Sequence, residues 1–173
     1  VKVLSAEQIA ARLDDRFHLL TGGSRTALPR QQTLRALIDW SYDLLTESER
    51  TLFRRLSIFA GGCTLDAAEA VCSGGDIASS DVLELLTSLT DKSLLFVEEA
   101  GGEASFHRLE TIRQYALEKL LETGEIEAMR NRHLDFFVDL AERAEPELTG
   151  PAQQVWTARL ERELDNIRAT LAW

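Results

Sequence analysis

Three histidines (His18, His107 and His133) and two cysteines (Cys63 and Cys72) are the side chains best suited to hold a metal or serve a nucleophile. Their spacing argues against both uses. The histidines stand far apart, and none has a Cys or His partner at ligand spacing. Cys63 and Cys72 are nine positions apart in apolar sequence with no second pair, which reads as two buried thiols. His133 falls in an apolar stripe and is expected to be a core histidine with its polar atoms satisfied. No G-x-x-x-x-G-K-[ST] loop is present to cradle phosphate. Gly22-Gly23 lacks the downstream Lys and reads as a helix C-cap. No Ser or Cys comes with a recognisable base. We expect no catalytic residue, no metal and no cofactor in this chain, and no enzyme activity from it alone.

The elements that would position these residues are mostly helical. Ser5 and Gln8 form a capping box ahead of Ile9, Leu13, Phe17 and Leu20 on one face. A basic, Pro-containing link, Ser24 to Arg30, leads to a second helix marked by Leu34, Leu37, Ile38, Ser41 and Leu45. Thr46 and Glu49 make another capping box and open a third helix with Leu52, Phe53 and Leu56 inward. Thr64 caps a short helix to Cys72, and Ser80 or Asp81 starts one carrying Val82, Leu85, Leu86 and Leu89. The period then changes. Ser93–Glu98 and Ala104–Arg108 read as strands joined at Gly101-Gly102. Helix resumes over Glu110–Leu121. Two longer helices follow, one with Ile126 to Ala144 in phase, the other with Trp156, Leu160, Leu164, Ile167 and Leu171, divided by Pro146, Gly150 and Pro151 into an antiparallel pair.

This order predicts a mainly α fold: a winged-helix domain with a short β-hairpin at 46–122, flanked by helices and a linker at 1–45 and by a helical hairpin resembling a tetratricopeptide unit at 123–173. The 173 residues carry 19 bases against 29 acids, a net charge of −10, with 45% hydrophobic residues. That balance belongs to a folded, acidic chain rather than a disordered or phosphate-seeking one. No apolar run approaches the ~18 residues of a membrane span, and no signal peptide opens the chain, so a cytoplasmic setting is expected. The start at Val1 and the stop at Trp173 inside a helical pattern suggest part of a longer polypeptide.

A winged helix invites a DNA-binding reading. From Thr64 to Glu110, however, ten acids face only Lys92 and Arg108, a balance of −8. The would-be recognition helix, Asp81–Asp91, offers no Arg, Lys, Asn or Gln to a base edge, and the wing tip Glu98-Glu99-Ala100-Gly101-Gly102-Glu103 is acidic. We expect a packing module without direct DNA contact. A DNA-binding winged-helix module and a stand-alone helical interaction scaffold are the alternatives.

Five segments, 29-PRQQTLRALIDWSYDLL-45, 56-LSIFAGGCTL-65, 89-LTDKSLL-95, 109-LETIRQYA-116 and 160-LERELDNIRATLAW-173, resemble the region after the nucleotide-binding core of bacterial NB-ARC-type STAND ATPases. Many of those are LuxR-type or SARP-type transcriptional regulators. The resemblance implies the end of a helical lid, then the winged helix, then the start of a tetratricopeptide-like sensor array. It implies ATP or ADP on an upstream domain of the parent chain, with that domain and the downstream sensor repeats as partners, no membrane, and DNA only through another domain. Relatives place a Met-His-Asp motif by the nucleotide phosphate after the wing. The matching positions here are Arg108, Leu109 and Glu110, and leucine brings no hydrogen-bond donor. Trp40, Tyr42 and Trp156 are the candidates for packing between domains.

Overall fold

The computed structural model describes residues 29–100 and 102–172. The chain divides into two units between Leu44 and Leu45. Helix α1 (Pro29–Asp43) belongs to the first. It begins inside the segment expected to be a link, and proline suits a first helical turn because the N–H it lacks has no partner there. The expected helix after Ser5, the Gly22-Gly23 cap and His18 lie outside the described residues.

In the second unit, α2 (Glu47–Leu56) starts at the expected capping box. Glu49 N–H donates to Thr46 Oγ1 at 3.3 Å, and Thr46 N–H donates to Glu49 Oε2 at 2.7 Å. A two-residue strand, β1 (Cys63–Thr64), precedes α3 (Leu65–Cys72), whose Ala67 N–H is capped by Thr64 Oγ1 at 3.3 Å. A 3-10 turn, Ser79–Asp81, leads into α4 (Val82–Asp91). Helices α3 and α4 are the helix-turn-helix.

The wing is β2 (Phe96–Ala100) and β3 (Glu103–His107), running from Phe96 opposite His107 to Ala100 opposite Glu103. Gly102, at φ +80°, supplies the left-handed turn that L side chains resist. The hairpin was expected from Ser93, yet Ser93 sits at φ +59° and donates its N–H to Thr90 O, closing α4. Leu94 and Leu95 are buried below it, so the strand begins three residues later than the apolar run suggests. Pairing of Cys63 with Phe106 and Thr64 with Ser105 completes an antiparallel sheet of order β1-β3-β2.

After the wing come α5 (Glu110–Thr123), α6 (Ile126–Ala144), a 3-10 turn at Glu145–Thr149, α7 (Gln153–Arg162) and α8 (Leu164–Leu171). The last helix was expected to be continuous. Instead the helix is interrupted at Glu163 (φ −90°, ψ 4°). Leu164 and Leu171 are 41% and 81% exposed, while Glu163 and Asn166 turn inward.

Burial holds the unit together. Phe59 has no exposure and lies with its ring centroid 5.1 Å from His133 and 6.5 Å from Phe137, both on α6. Each large buried side chain contributes about 1.5–3 kcal/mol through removal from water. The winged helix and the C-terminal helices share this core and stand in one unit.

Candidate functional site

The surface at issue is the outer face of α4 and the wing. Val82, Leu86 and Leu89 anchor α4 on the core. Its other side presents Leu83, Glu84, Thr87 and Asp91, with no cation among them. Thr87 turns its hydroxyl back to Leu83 O at 2.8 Å.

Both bases of the 64–110 segment are engaged within the fold. Lys92 Nζ lies 2.5 Å from Glu49 Oε1, which also accepts from Ser88 Oγ at 2.5 Å. Desolvation alone would raise the Glu49 pKa. Hydrogen bonds from Lys92, Ser88 and the Thr46 backbone overcome it and hold the carboxyl down to about 2. Arg108 Nη2 donates to Phe59 O at 2.5 Å, and its Nε and Nη1 are buried without a hydrogen-bond partner. Burial lowers the pKa of this guanidinium to about 10.

The wing is tied inward as well. Glu103 Oε2 is 2.7 Å from Arg162 Nη2 at the end of α7. The His107 ring stacks on Phe96 at 5.7 Å, and its Nε2 is 3.7 Å from Glu98 Oε2. It lies so close over Gly62 that a Cβ there would meet the ring at 2.3 Å.

The three residues matched to the nucleotide-contact motif are not brought to one point. Arg108 is turned into the domain. Leu109 stands at the N-cap of α5, 65% exposed, and forms no side-chain cap. Glu110 is clasped by Arg113 Nε and Nη2, each at 2.7 Å, and by Gln114 Nε2 at 3.0 Å. Burial opposes ionisation of Glu110, but these hydrogen bonds hold its pKa below the ordinary carboxylate value. Trp40 is largely exposed on α1, and Tyr42 lies half-buried two residues on. Trp156, in the second unit, is half-buried with the Arg159 guanidinium 5.4 Å from its ring.

Cys63 and Cys72 are buried free thiols. Desolvation pushes Cys63 up to about 12 and Cys72 higher still, which disfavours the thiolate of each. His133 is fully buried, as its place in the apolar stripe predicts, and desolvation lowers its pKa to about 4 against a raising hydrogen bond with Asn166. Among the described residues no three metal-capable side chains gather, and no helix is long and apolar enough to cross a membrane.

Sequence reasoning missed Glu163 and Asn166. The apolar residues Trp156, Leu160, Leu164, Ile167 and Leu171 gave Asn166 no inward place. It is instead buried against the turn before β1, and only the interruption of the apolar phase at Glu163 hints at this.

This arrangement defines a winged helix-turn-helix domain, and residues 45–121 match the family model of that description. Over all 173 residues the chain is 47% identical to a Mycobacterium tuberculosis (strain H37Rv) protein named "Putative HTH-type transcriptional regulator Rv0890c", and equally to a Mycobacterium bovis protein of the same description. It is 43% identical over 131 residues, 75% of its length, to a Mycobacterium bovis "Uncharacterized protein". The chain spans 19% of the length of the first two and 33% of the third. No solved structure matches.

Proposed function

We propose that this chain is a non-catalytic segment of a transcriptional regulator, in which the winged helix packs and couples domains rather than reading bases. The observation that carries this is the fate of the two cations between residues 64 and 110. Lys92 is bound to Glu49, and Arg108 is turned onto Phe59 O. Phosphate contacts need several outward Lys or Arg side chains. The regulator role is supported by the names of the relatives.

In its finer form, the chain is the regulatory arm of a signal-transducing ATPase, with ATP or ADP held by an upstream domain. This form draws on the resemblance of the five segments above. The segment supplies no phosphate cradle, and Arg108, Leu109 and Glu110 as placed do not converge on a phosphate, so its part is mechanical. The winged helix would move between packed and released positions as nucleotide and inducer dictate. Its partners are then the neighbouring domains of its own chain.

A second reading is a winged-helix module that binds DNA. The match of residues 45–121 to a helix-turn-helix family, with the relatives' description, speaks for it more directly than for the ATPase arm. Reading the coding sequence upstream of Val1 tests the arm. A phosphate loop followed by an acidic strand end within about 300 residues is the expected result. Its absence overturns the nucleotide switch and leaves DNA binding or scaffolding.

A further inference from the structure

The elbow between α7 and α8 buries two polar side chains, Glu163 and Asn166, only 7% and 1% exposed. A side-chain amide has two donor hydrogens and an oxygen with two lone pairs. Asn166 engages both its oxygen and its nitrogen. Its Oδ1 accepts from Ala60 N–H at 3.0 Å and Gly61 N–H at 3.4 Å, and its Nδ2 donates to Gly62 O at 2.9 Å and Glu163 Oε2 at 2.8 Å. One side chain thus satisfies three consecutive residues of the turn between α2 and β1. Four residues earlier, Arg162 reaches Glu103 at the wing tip.

The turn held by Asn166 leads straight into the wing. Gly62 lies beneath His107 of β3, and Cys63, the next residue, pairs with Phe106 of β3. A displacement of Asn166 is therefore felt at the wing's inner strand through a backbone ladder and a ring contact. A pocket of about 130 Å³ separates elbow from wing, lined by Gly62, Glu98, Ser105, His107, Arg162 and Glu163. Polar ties at a partly open seam can part without exposing much apolar surface, which is the character of a low-cost local opening.

We infer that the α7–α8 elbow is a latch on the winged helix, with Asn166 seated in the Ala60–Gly62 turn and Arg162 on the wing tip, through which the C-terminal helices set the wing's position. The latch supplies the joint for the coupling proposed above and rests on that reading for its biological use. As a physical device it stands or falls separately.

Amide hydrogen exchange on the 173-residue chain tests it. In Asn166→Ala the Ala60 and Gly61 amides lose their acceptor under any reading, so the wing is the readout that discriminates. Exchange over 96–107 is expected to quicken at least tenfold while α2 and α3 keep their protection. Arg162→Glu should loosen the wing alone, and pairing it with Glu103→Arg should restore the wild-type rates. Wing protection unchanged in both Asn166→Ala and Arg162→Glu overturns the latch. Should Asn166→Ala fail to fold, Arg162→Glu and the charge swap, both made at the partly exposed pair, decide alone. A missing upstream phosphate loop would remove the ATPase arm without altering any of these rates.

Discussion

Phe59→Ala is expected to lower the unfolding free energy by about 3–5 kcal/mol, the range for truncating a buried aromatic side chain that leaves a cavity. Phe59 has no exposed surface, its ring packs on His133 and Phe137 of α6, and its carbonyl is the acceptor for Arg108. The cavity would open between the winged helix and the C-terminal helices, so both should lose stability together. Urea unfolding followed by intrinsic fluorescence and far-ultraviolet circular dichroism checks this. Coincident transitions shifted to lower urea are expected. A biphasic curve in which only part of the helical signal shifts would show two separately stable modules.

Acidification is expected to have a comparable effect, through two groups acting in sequence. His133 is buried neutral with a pKa near 4 against an ordinary 6.5. Its contribution is present above pH 6.5 and is lost as pH falls through 4, amounting to about 3 kcal/mol at 1.36 kcal/mol per unit. Glu49, with a pKa of about 2 against 4.5, contributes above pH 4.5, and that contribution is lost as pH falls through 2. Glu163 has the opposite sign. Burial raises its pKa, so its contribution is full below 4.5 and fades as pH rises through the folded value, offsetting part of the acid loss. Urea midpoints should fall from pH 7 to pH 4. His133→Leu should flatten that limb, and Glu49→Gln the limb below pH 4.5. A wild-type midpoint constant between pH 7 and pH 4 would contradict the burial of a neutral His133.

What was legible in the sequence was local. The Thr46–Glu49 box and the Thr64 cap lie within three or four residues of the groups they satisfy, and the apolar phases of α2, α4 and α6 repeat within each helix. Strand β1 was not legible, because two residues carry no alternation and Cys63–Thr64 is a strand only by virtue of β3, some forty residues on. The break at Glu163 was hidden for a similar reason. Asn166 is buried because its amide matches three backbone groups at Ala60–Gly62, a complementarity that no periodicity encodes.

The acidity of the helix-turn-helix face could be counted from the residues. That its two cations are bound within the fold could not, since Lys92 depends on Glu49 and Arg108 on the Phe59 carbonyl, both distant in sequence. Arg108, Leu109 and Glu110 read as one motif because they are adjacent. The change from strand to helix sends the first inward and the second outward, while Arg113 occupies the third.

Whether this face meets DNA is decided by fluorescence anisotropy of a labelled random-sequence duplex titrated with the 173-residue chain at low salt and again near physiological salt. With Lys92 and Arg108 engaged internally and ten acids over the same elements, binding no tighter than about 10⁻⁴ M is expected, the weak end of ordinary non-specific association. Saturable micromolar binding that weakens steeply with salt would contradict the coupling role and make the winged helix a DNA-binding module.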